Sequence, residues 1–326
     1  MNPLIIDYST GELLSQEEAE LHDGKRQWKE KKKMSLQNAA FMATYDPERA
    51  QLIKDCGTFL EFARTPDGQQ RLHNANFCRQ RMCAMCQWRR SMKLGVQADR
   101  IYKVLSDRGY KHVFMTLTVK NCTGDELSGE INELYEAASR LKRMKVYKAV
   151  KGAYRALEVT YNQEADTYHP HLHYLLTVPE EYFHAETYIK HDDLMEAWRK
   201  AARLDYDPSV QIEGLHQKEG QSITSACAEL TKYPVKMAEI NSSKVFQTMD
   251  NALRGRRLIQ WTGIAAEVRK ELKLEDIEEG NLIQIDGELP GDKEIEKIVY
   301  VWRYGCYFPY DVHAVRMAQE AAIKTK

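Results

Sequence analysis

The sequence predicts an α+β fold: a central antiparallel sheet flanked by helices, with a small cysteine-rich segment ahead of it. Three patterns predict this. From His112 to Val119, Val113, Met115, Leu117 and Val119 alternate with Thr116 and Thr118, the period of a half-buried strand. Tyr154 to Tyr161 and His171 to Val178 are two further apolar runs, and the polar stretch from Asn162 to Tyr168 is short enough to close them into an antiparallel hairpin. Leu127, Ile131, Leu134, Leu141, Val146 and Val150 recur at helical spacing between the first and second strands, so a helix is expected over 127–150.

The other elements divide the chain into four segments. Residues 1–50 are polar and carry a basic run, Lys25-Arg26 and Lys31-Lys32-Lys33, expected as a flexible arm or a charged helix. Residues 51–105 are cysteine-rich, with a turn signal at Pro66-Asp67-Gly68. This segment ends in a helix from Ser91 to Ser106, apolar at Leu94, Ile101, Val104 and Leu105. Residues 106–245 hold the sheet, then a helix over Leu194–Leu204, a short strand over Val210–Gly214 and a mostly helical stretch from Thr224 to Ile240. Residues 246–326 form an acidic C-terminal accessory region, where Trp302-Arg303-Tyr304 suits partner contacts or self-association.

Composition narrows the function classes. Hydrophobic residues are 43% and charged residues 29% of 326, which suits a soluble protein with a sizeable core. No run of about 18 apolar residues exists to cross a membrane, and no basic stretch leads into an apolar one at the N-terminus, which points to the cytoplasm. The net charge of −1 conceals two opposite regions. Arg79 to Arg155 holds 17 basic against 7 acidic side chains, and Glu271 to Lys297 holds 10 acidic against 3 basic. A basic middle is where phosphates would bind, because neutralising them releases condensed counterions.

Three clusters carry chemistry. In His169-Pro170-His171-Leu172-His173, residues two apart on a strand share a face, so His171 and His173 project together. A hairpin closing at 162–168 brings Glu158 within reach, and a carboxylate between apolar neighbours is costly unless paired or coordinated. Two imidazoles and a carboxylate make a metal site with positions open for a phosphate oxygen. Pro170 sets His169 apart from this pair. In the second cluster, Glu229 and Tyr233 share one face of a helix. A tyrosine phenolate attacks a phosphodiester and keeps the 5′ phosphate as an ester, provided that a cation or base offsets its pKa of about 10. Lys232 and Lys236 supply the charge, Glu229 is a general base for water, and Pro234 kinks or interrupts the helix. In the third, Cys78-x4-Cys83-x2-Cys86 offers three zinc ligands, with Cys56 the preferred fourth and His73 the substitute. Seven cysteines without a secretory signal suit metal rather than disulfides. Arg79, Arg81, Arg89 and Arg90 lie around this cluster and are the DNA-binding candidates.

These residues resemble a known family, the rolling-circle replication initiators of small bacterial plasmids within the HUH endonucleases. Phe114-Met115-Thr116-Leu117-Thr118-Val119-Lys120-Asn121 is similar to the first motif of that family. His169 to Leu176 is similar to its metal motif, and Lys232-Tyr233-Pro234-Val235-Lys236 to its tyrosine motif. Phe77 to Arg90 is similar to the cysteine and arginine signature of one single-tyrosine branch, except that Ala84 stands where proline is frequent. The resemblance implies an HUH core whose sheet carries the histidines beside a tyrosine-bearing helix. It implies site-specific nicking of one strand at the plasmid origin, single-stranded or extruded as a hairpin, through a 5′-phosphotyrosine that leaves a free 3′ hydroxyl. It implies catalytic Mg²⁺ or Mn²⁺, structural Zn²⁺, and a host helicase with the replication machinery. The tyrosine that starts replication falls on Tyr233, and the glutamate that helps end it falls on Glu229. The competing readings are an HUH transposase or relaxase, a non-catalytic zinc-containing DNA-binding regulator and a metallohydrolase of small phosphoesters; neither of the last two requires Tyr233.

Overall fold

The computed structural model describes residues 5–6, 13–14, 27–64, 70–184, 186, 188–215, 240–285 and 296–310. Strands β1 (Ile5–Ile6) and β2 (Leu13–Leu14) form a minimal ladder. Then come α1 (Trp28–Ala43), α2 (Pro47–Asp55), β3 (Phe59–Arg64), β4 (Gln70–Ala75), α3 (Ala84–Asp107), β5 (Lys111–Thr118) and α4 (Leu127–Leu141). They are followed by β6 (Gly152–Asn162), β7 (Thr167–Val178), α5 (His191–Ala202), β8 (Val210–Gly214), α6 (Ser243–Leu253), β9 (Ile259–Gly263), α7 (Ile264–Glu271), β10 (Glu296–Arg303) and β11 (Cys306–Tyr310). Turns of 3₁₀ helix lie at Lys145–Tyr147 and Glu180–His184. The fold is α+β with antiparallel sheets and flanking helices. No helix among the described residues is long and apolar enough to cross a membrane.

Two compact units divide the chain, one of residues 1–89 with 281–326 and one of residues 90–280. In the first unit the sheet order is β11-β10-β3-β4. Residues 296–310 of the acidic C-terminal region thus complete the sheet that the cysteine-rich segment begins. The stretch expected as an N-terminal arm contains helix α1 and the start of α2. In α2, Asp46 caps Arg49 N at 3.1 Å and Pro47 occupies the first turn. Trp28 of α1 is buried edge-on against Phe62 and Trp88, at 5.7 and 4.6 Å between centroids. Tyr304 and Gly305, both at positive φ, make a two-residue hairpin turn. Trp302 packs on Tyr307 and Arg303 lies over Tyr310, so both serve this hairpin, while Tyr304 at its tip is exposed.

In the second unit the sheet order is β8-β5-β7-β6-β9, every pair antiparallel. The β6–β7 hairpin closes where polarity predicts. Asn162 Oδ1 accepts from the backbone of Glu164 and Ala165, and Asp166 takes the left-handed conformation. Helix α4 buries Leu127, Ile131, Leu134, Ala138 and Leu141. It stops at Leu141 rather than running to Val150, and a 3₁₀ turn at Lys145–Tyr147 then leads into β6. On one face of the sheet, Arg155 lies over Tyr135 of α4 at 4.2 Å. On the other, Tyr102 of α3 donates to Leu175 O at 3.0 Å and meets His112 and Trp261. Gly263 faces the backbone at Lys151 with φ +58, where a side chain has no room.

His112 is buried at the start of β5, with Nε2 3.0 Å from Ser106 Oγ. Burial, and then the neighbouring Lys111, push its imidazole down to about 4. The unfolded chain takes up that proton near pH 6.5, so between these values it binds more protons than the fold does. Stability therefore falls as pH drops from about 6.5 to about 4, by on the order of 3 kcal/mol. We expect urea unfolding at pH 7 and pH 4 to show a smaller acid loss in His112→Gln than in the wild type. Equal losses in the two proteins would show that His112 does not carry this dependence.

Candidate metal centre

The register of β7 with its two neighbours builds one site. His171 is paired with Glu158 and Thr118, and His173 with Ala156 and Thr116. Residues directly opposite on antiparallel strands share a face, so both histidines, Glu158 and Thr116 face the same way. Leu172 points to the other face and is fully buried there. Glu158 Oε2 accepts from His173 Nε2 at 2.8 Å and lies 3.3 Å from His171 Nε2. The ligand atoms of all three lie within 4.8 Å of one another and are almost completely buried. An octahedral ion with bonds of about 2.1 Å holds neighbouring ligands about 3 Å apart, which these separations match.

Neighbouring oxygens orient both rings. His171 Nδ1 is 3.1 Å from His169 O, and a carbonyl only accepts, so Nδ1 donates there and Nε2 is the nitrogen turned toward Glu158. His173 Nδ1 is 3.1 Å from Thr116 Oγ1, which orients the ring toward Glu158. Phe114 stacks on His173 with ring centroids 5.6 Å apart. His169 stands half-buried beside His171, and burial, then the His171 charge, hold its imidazole below the ordinary range.

The first unit holds the second cluster. Cys56, at the end of α2, meets Cys78, Cys83 and Cys86, and the four sulfurs lie within 4.8 Å of one another. Cys56 Sγ is 3.5 Å and Cys78 Sγ 3.8 Å from Cys86 Sγ. A tetrahedral zinc with bonds of about 2.3 Å separates its sulfurs by about 3.8 Å, so the cage fits that ion. Backbone N–H groups of Cys78 and Arg79 donate to Cys56 and Cys86 sulfur, as metal thiolates require. Burial raises the Cys83 thiol, but hydrogen bonds from the other three cysteines and Ser35 outweigh it and hold Cys83 well below the thiol range. Cys56 and Cys86 are pushed up instead, chiefly by their bonds to the other thiols. Four thiolates so close cannot all ionise without a dication among them. His73 pairs with Glu61 at 3.5 Å and lies outside the group.

A family model described as "Replication protein" matches residues 69–307. The chain belongs to the replication protein family. The cysteine segment at 77–90 and the histidine segment at 169–176 both lie within the matched residues. Protein rep of Streptococcus pneumoniae is 34% identical over 286 residues, covering 85% of this chain and 89% of that one. Protein rep of a Bacillus species is 38% identical over 267 residues, 74% of this chain and 87% of that one. Protein rep of Bacillus amyloliquefaciens is 37% identical over 297 residues, 81% of this chain and 87% of that one. No solved structure matches.

In this replication protein two of the four arginine candidates turn inward. Arg89 is buried, donating through Nε and Nη2 to Leu282 O and Ile283 O, both at 2.8 Å, with Trp28 and Trp88 against its plane. Arg90 is buried and donates to Glu278 O at 3.3 Å. Both guanidinium groups thus donate to backbone of the acidic region. Arg79 is exposed and Arg81 half-buried on the cysteine loop. Glu229, Tyr233 and Lys236, with the helix expected over 224–240, lie outside the described residues, apart from Ile240.

Two residues of the sites, Thr116 and Lys32, have no counterpart among the sequence candidates. Thr116 lies within the first motif, but its bond to His173 shows only in the register. Lys32 is fully buried, donating to Lys54 O and Cys56 O at 2.6 and 2.7 Å beside the cysteines. Burial holds its ammonium below the ordinary range, while the cysteines pull it back up. It places a positive charge where a zinc tetrathiolate would be negative. No local signal separates Lys32 from its neighbours Lys31 and Lys33.

Proposed function

We propose that this protein initiates rolling-circle replication of a plasmid by nicking one strand at the origin through Tyr233. The observation that carries this reading is the group of Glu158, His171 and His173 on one sheet face in a chain of the replication protein family. The three residues would hold Mg²⁺ or Mn²⁺, which supplies Lewis-acid polarisation of the scissile phosphate. Two imidazoles favour Mn²⁺ of the pair. The Tyr233 phenol oxygen forms a bond to phosphorus as its proton passes to solvent water. The P–O3′ bond breaks, and the 3′ oxygen takes a proton from water to become the primer hydroxyl. Lys236 offsets the phenolate charge, and Glu229 accepts a proton from water when the ester is hydrolysed at termination. Glu158, His171 and His173 are already gathered on rigid strands, so binding needs little reorganisation. Cys56, Cys78, Cys83 and Cys86 hold a structural Zn²⁺, and Arg79 and Arg81 beside them contact DNA. The reaction belongs in the cytoplasm, where a host helicase extends the opened strand.

Covalent trapping tests this reading. Single-stranded fragments tiling the plasmid are incubated with protein and Mn²⁺ and run on a denaturing gel beside Tyr233→Phe. An adduct that needs metal and disappears in the variant is the expected result. No adduct from folded protein that still binds DNA would make this a non-catalytic regulator, and an adduct persisting in the variant would assign the nucleophile to another residue.

A further inference from the structure

The basic stretch from Arg79 to Arg155 loses about half of its charge to the protein itself: eight of its 17 basic side chains are buried, ion-paired or stacked on a ring. Lys93 and Arg155 are buried with Arg89 and Arg90. Arg108 pairs with Glu271, Lys111 with Glu180, and Arg140 with Glu133 and Glu136. Lys120 lies over the Tyr206 ring. Of the other nine, five gather in one place, and the rest are Arg79, Arg81, Arg100 and Lys103. From Ala137 to Leu157 there is no acidic residue, and Lys142, Arg143, Lys145, Lys148 and Lys151 fall within ten positions. Arg143, Lys145, Lys148 and Lys151 are exposed, and none of the five forms an ion pair among the described residues. Burial, and then Arg155, hold the half-buried Lys142 ammonium below its ordinary range, as expected in a positive field without an offsetting acid.

The ridge is also held in shape. Tyr147 N, Lys148 N and Val150 N donate to Met144 O, Lys145 O and Tyr147 O, and Lys151 N donates to Thr177 O of β7. Thr177 pairs with Gly152, six positions along β7 from His171. At about 3.3 Å per residue this end of the sheet is roughly 20 Å from the metal centre. That span is about six base pairs of duplex, at 3.4 Å per pair.

We propose that Lys142, Arg143, Lys145, Lys148 and Lys151 form a second nucleic-acid contact, gripping the phosphate backbone of duplex DNA that flanks the strand being cut. The proposal rests on the nicking function above. Grooves that hold single strands stack bases on exposed aromatic side chains. The only aromatic residue in this run is Tyr147, whose hydroxyl is buried. Fixed cations without a stacking platform match a dense phosphate array, and duplex DNA carries one charge per about 1.7 Å of axis. Such contacts position DNA without reading its sequence.

The test compares wild type with Lys145→Gln/Lys148→Gln/Lys151→Gln by fluorescence anisotropy on a mixed-sequence duplex over a range of salt. The expected result is weaker duplex binding and a log–log salt slope smaller by about 2 to 3. Nicking of a short single strand stays at the wild-type rate, and Lys145→Arg/Lys148→Arg/Lys151→Arg restores the slope. A wild-type slope in the glutamine variant would overturn the ridge. So would an equal loss on single-stranded and duplex probes, which would make it part of the single-strand path. If wild type cuts no single strand at all, the nicking function fails, while the duplex slopes still decide whether the ridge binds DNA.

Discussion

Replacing His171 and His173 together by Ala is expected to leave a folded protein that cuts single-stranded origin DNA about a thousandfold more slowly, equivalent to about 4 kcal/mol of lost transition-state stabilisation. The size follows from the site. Both Nε2 atoms converge on Glu158 Oε2, so removing the rings removes two of three protein ligands. Each histidine is buried on the central strand with 8% of its surface exposed, so the fold must be checked in the variant beside its activity. Single-turnover cleavage with and without Mn²⁺, beside thermal melts, checks both halves. Thr116→Val should cost less, about 10- to 100-fold, because it orients His173 and touches no metal. Raising Mn²⁺ should recover part of that loss but none of the loss in the double variant. Undiminished metal-dependent cutting by the double variant would move the catalytic metal elsewhere.

Cys83→Ser is expected to release zinc and unfold the first unit. Structural zinc contributes about 10 to 16 kcal/mol at neutral pH, while whole domains are stable by only about 5 to 15 kcal/mol. Cys83 has no exposed surface, and Ser35 ties its sulfur to α1 at 3.5 Å. Losing one thiolate therefore loosens the packing of α1 and α2 as well as the metal. Freshly purified wild type should hold one zinc per chain by elemental analysis, and a strong chelator should lower the melting temperature of this unit. In the variant the zinc is absent and the near-ultraviolet signal of Trp28 and Trp88 collapses. A zinc-free wild type with an unchanged melt would reduce the cluster to buried thiols. Lys32→Met tests the counter-charge, and zinc should leave it for a chelator faster than it leaves the wild type.

Much of the histidine centre is written locally. A two-residue spacing on an apolar run places His171 and His173 on one face whatever the rest of the chain does. A polar loop of fixed length then determines which residue of β6 stands opposite, and Glu158 is that residue. The α+β class follows from the same periodicities. The cysteine spacing names three ligands and leaves the fourth open between Cys56 and His73. That choice needs α2 and β4 in place, since Cys56 ends the helix and His73 is drawn to Glu61 on β3.

Charge was the least legible property. Arg89 and Arg90 look like phosphate ligands in the chain and are anchors for the acidic region in the fold. The 3₁₀ ridge, by contrast, looks like the unremarkable end of a helix. The pairing of β10 with β3 joins residues more than two hundred positions apart and has no local signal. The division has one physical cause. Periodicity and loop length act between neighbours, where backbone geometry allows few arrangements. Which charge is buried, which carbonyl it meets and which distant strand closes a sheet depend on competition among all surfaces of the chain, and only the packed structure resolves that.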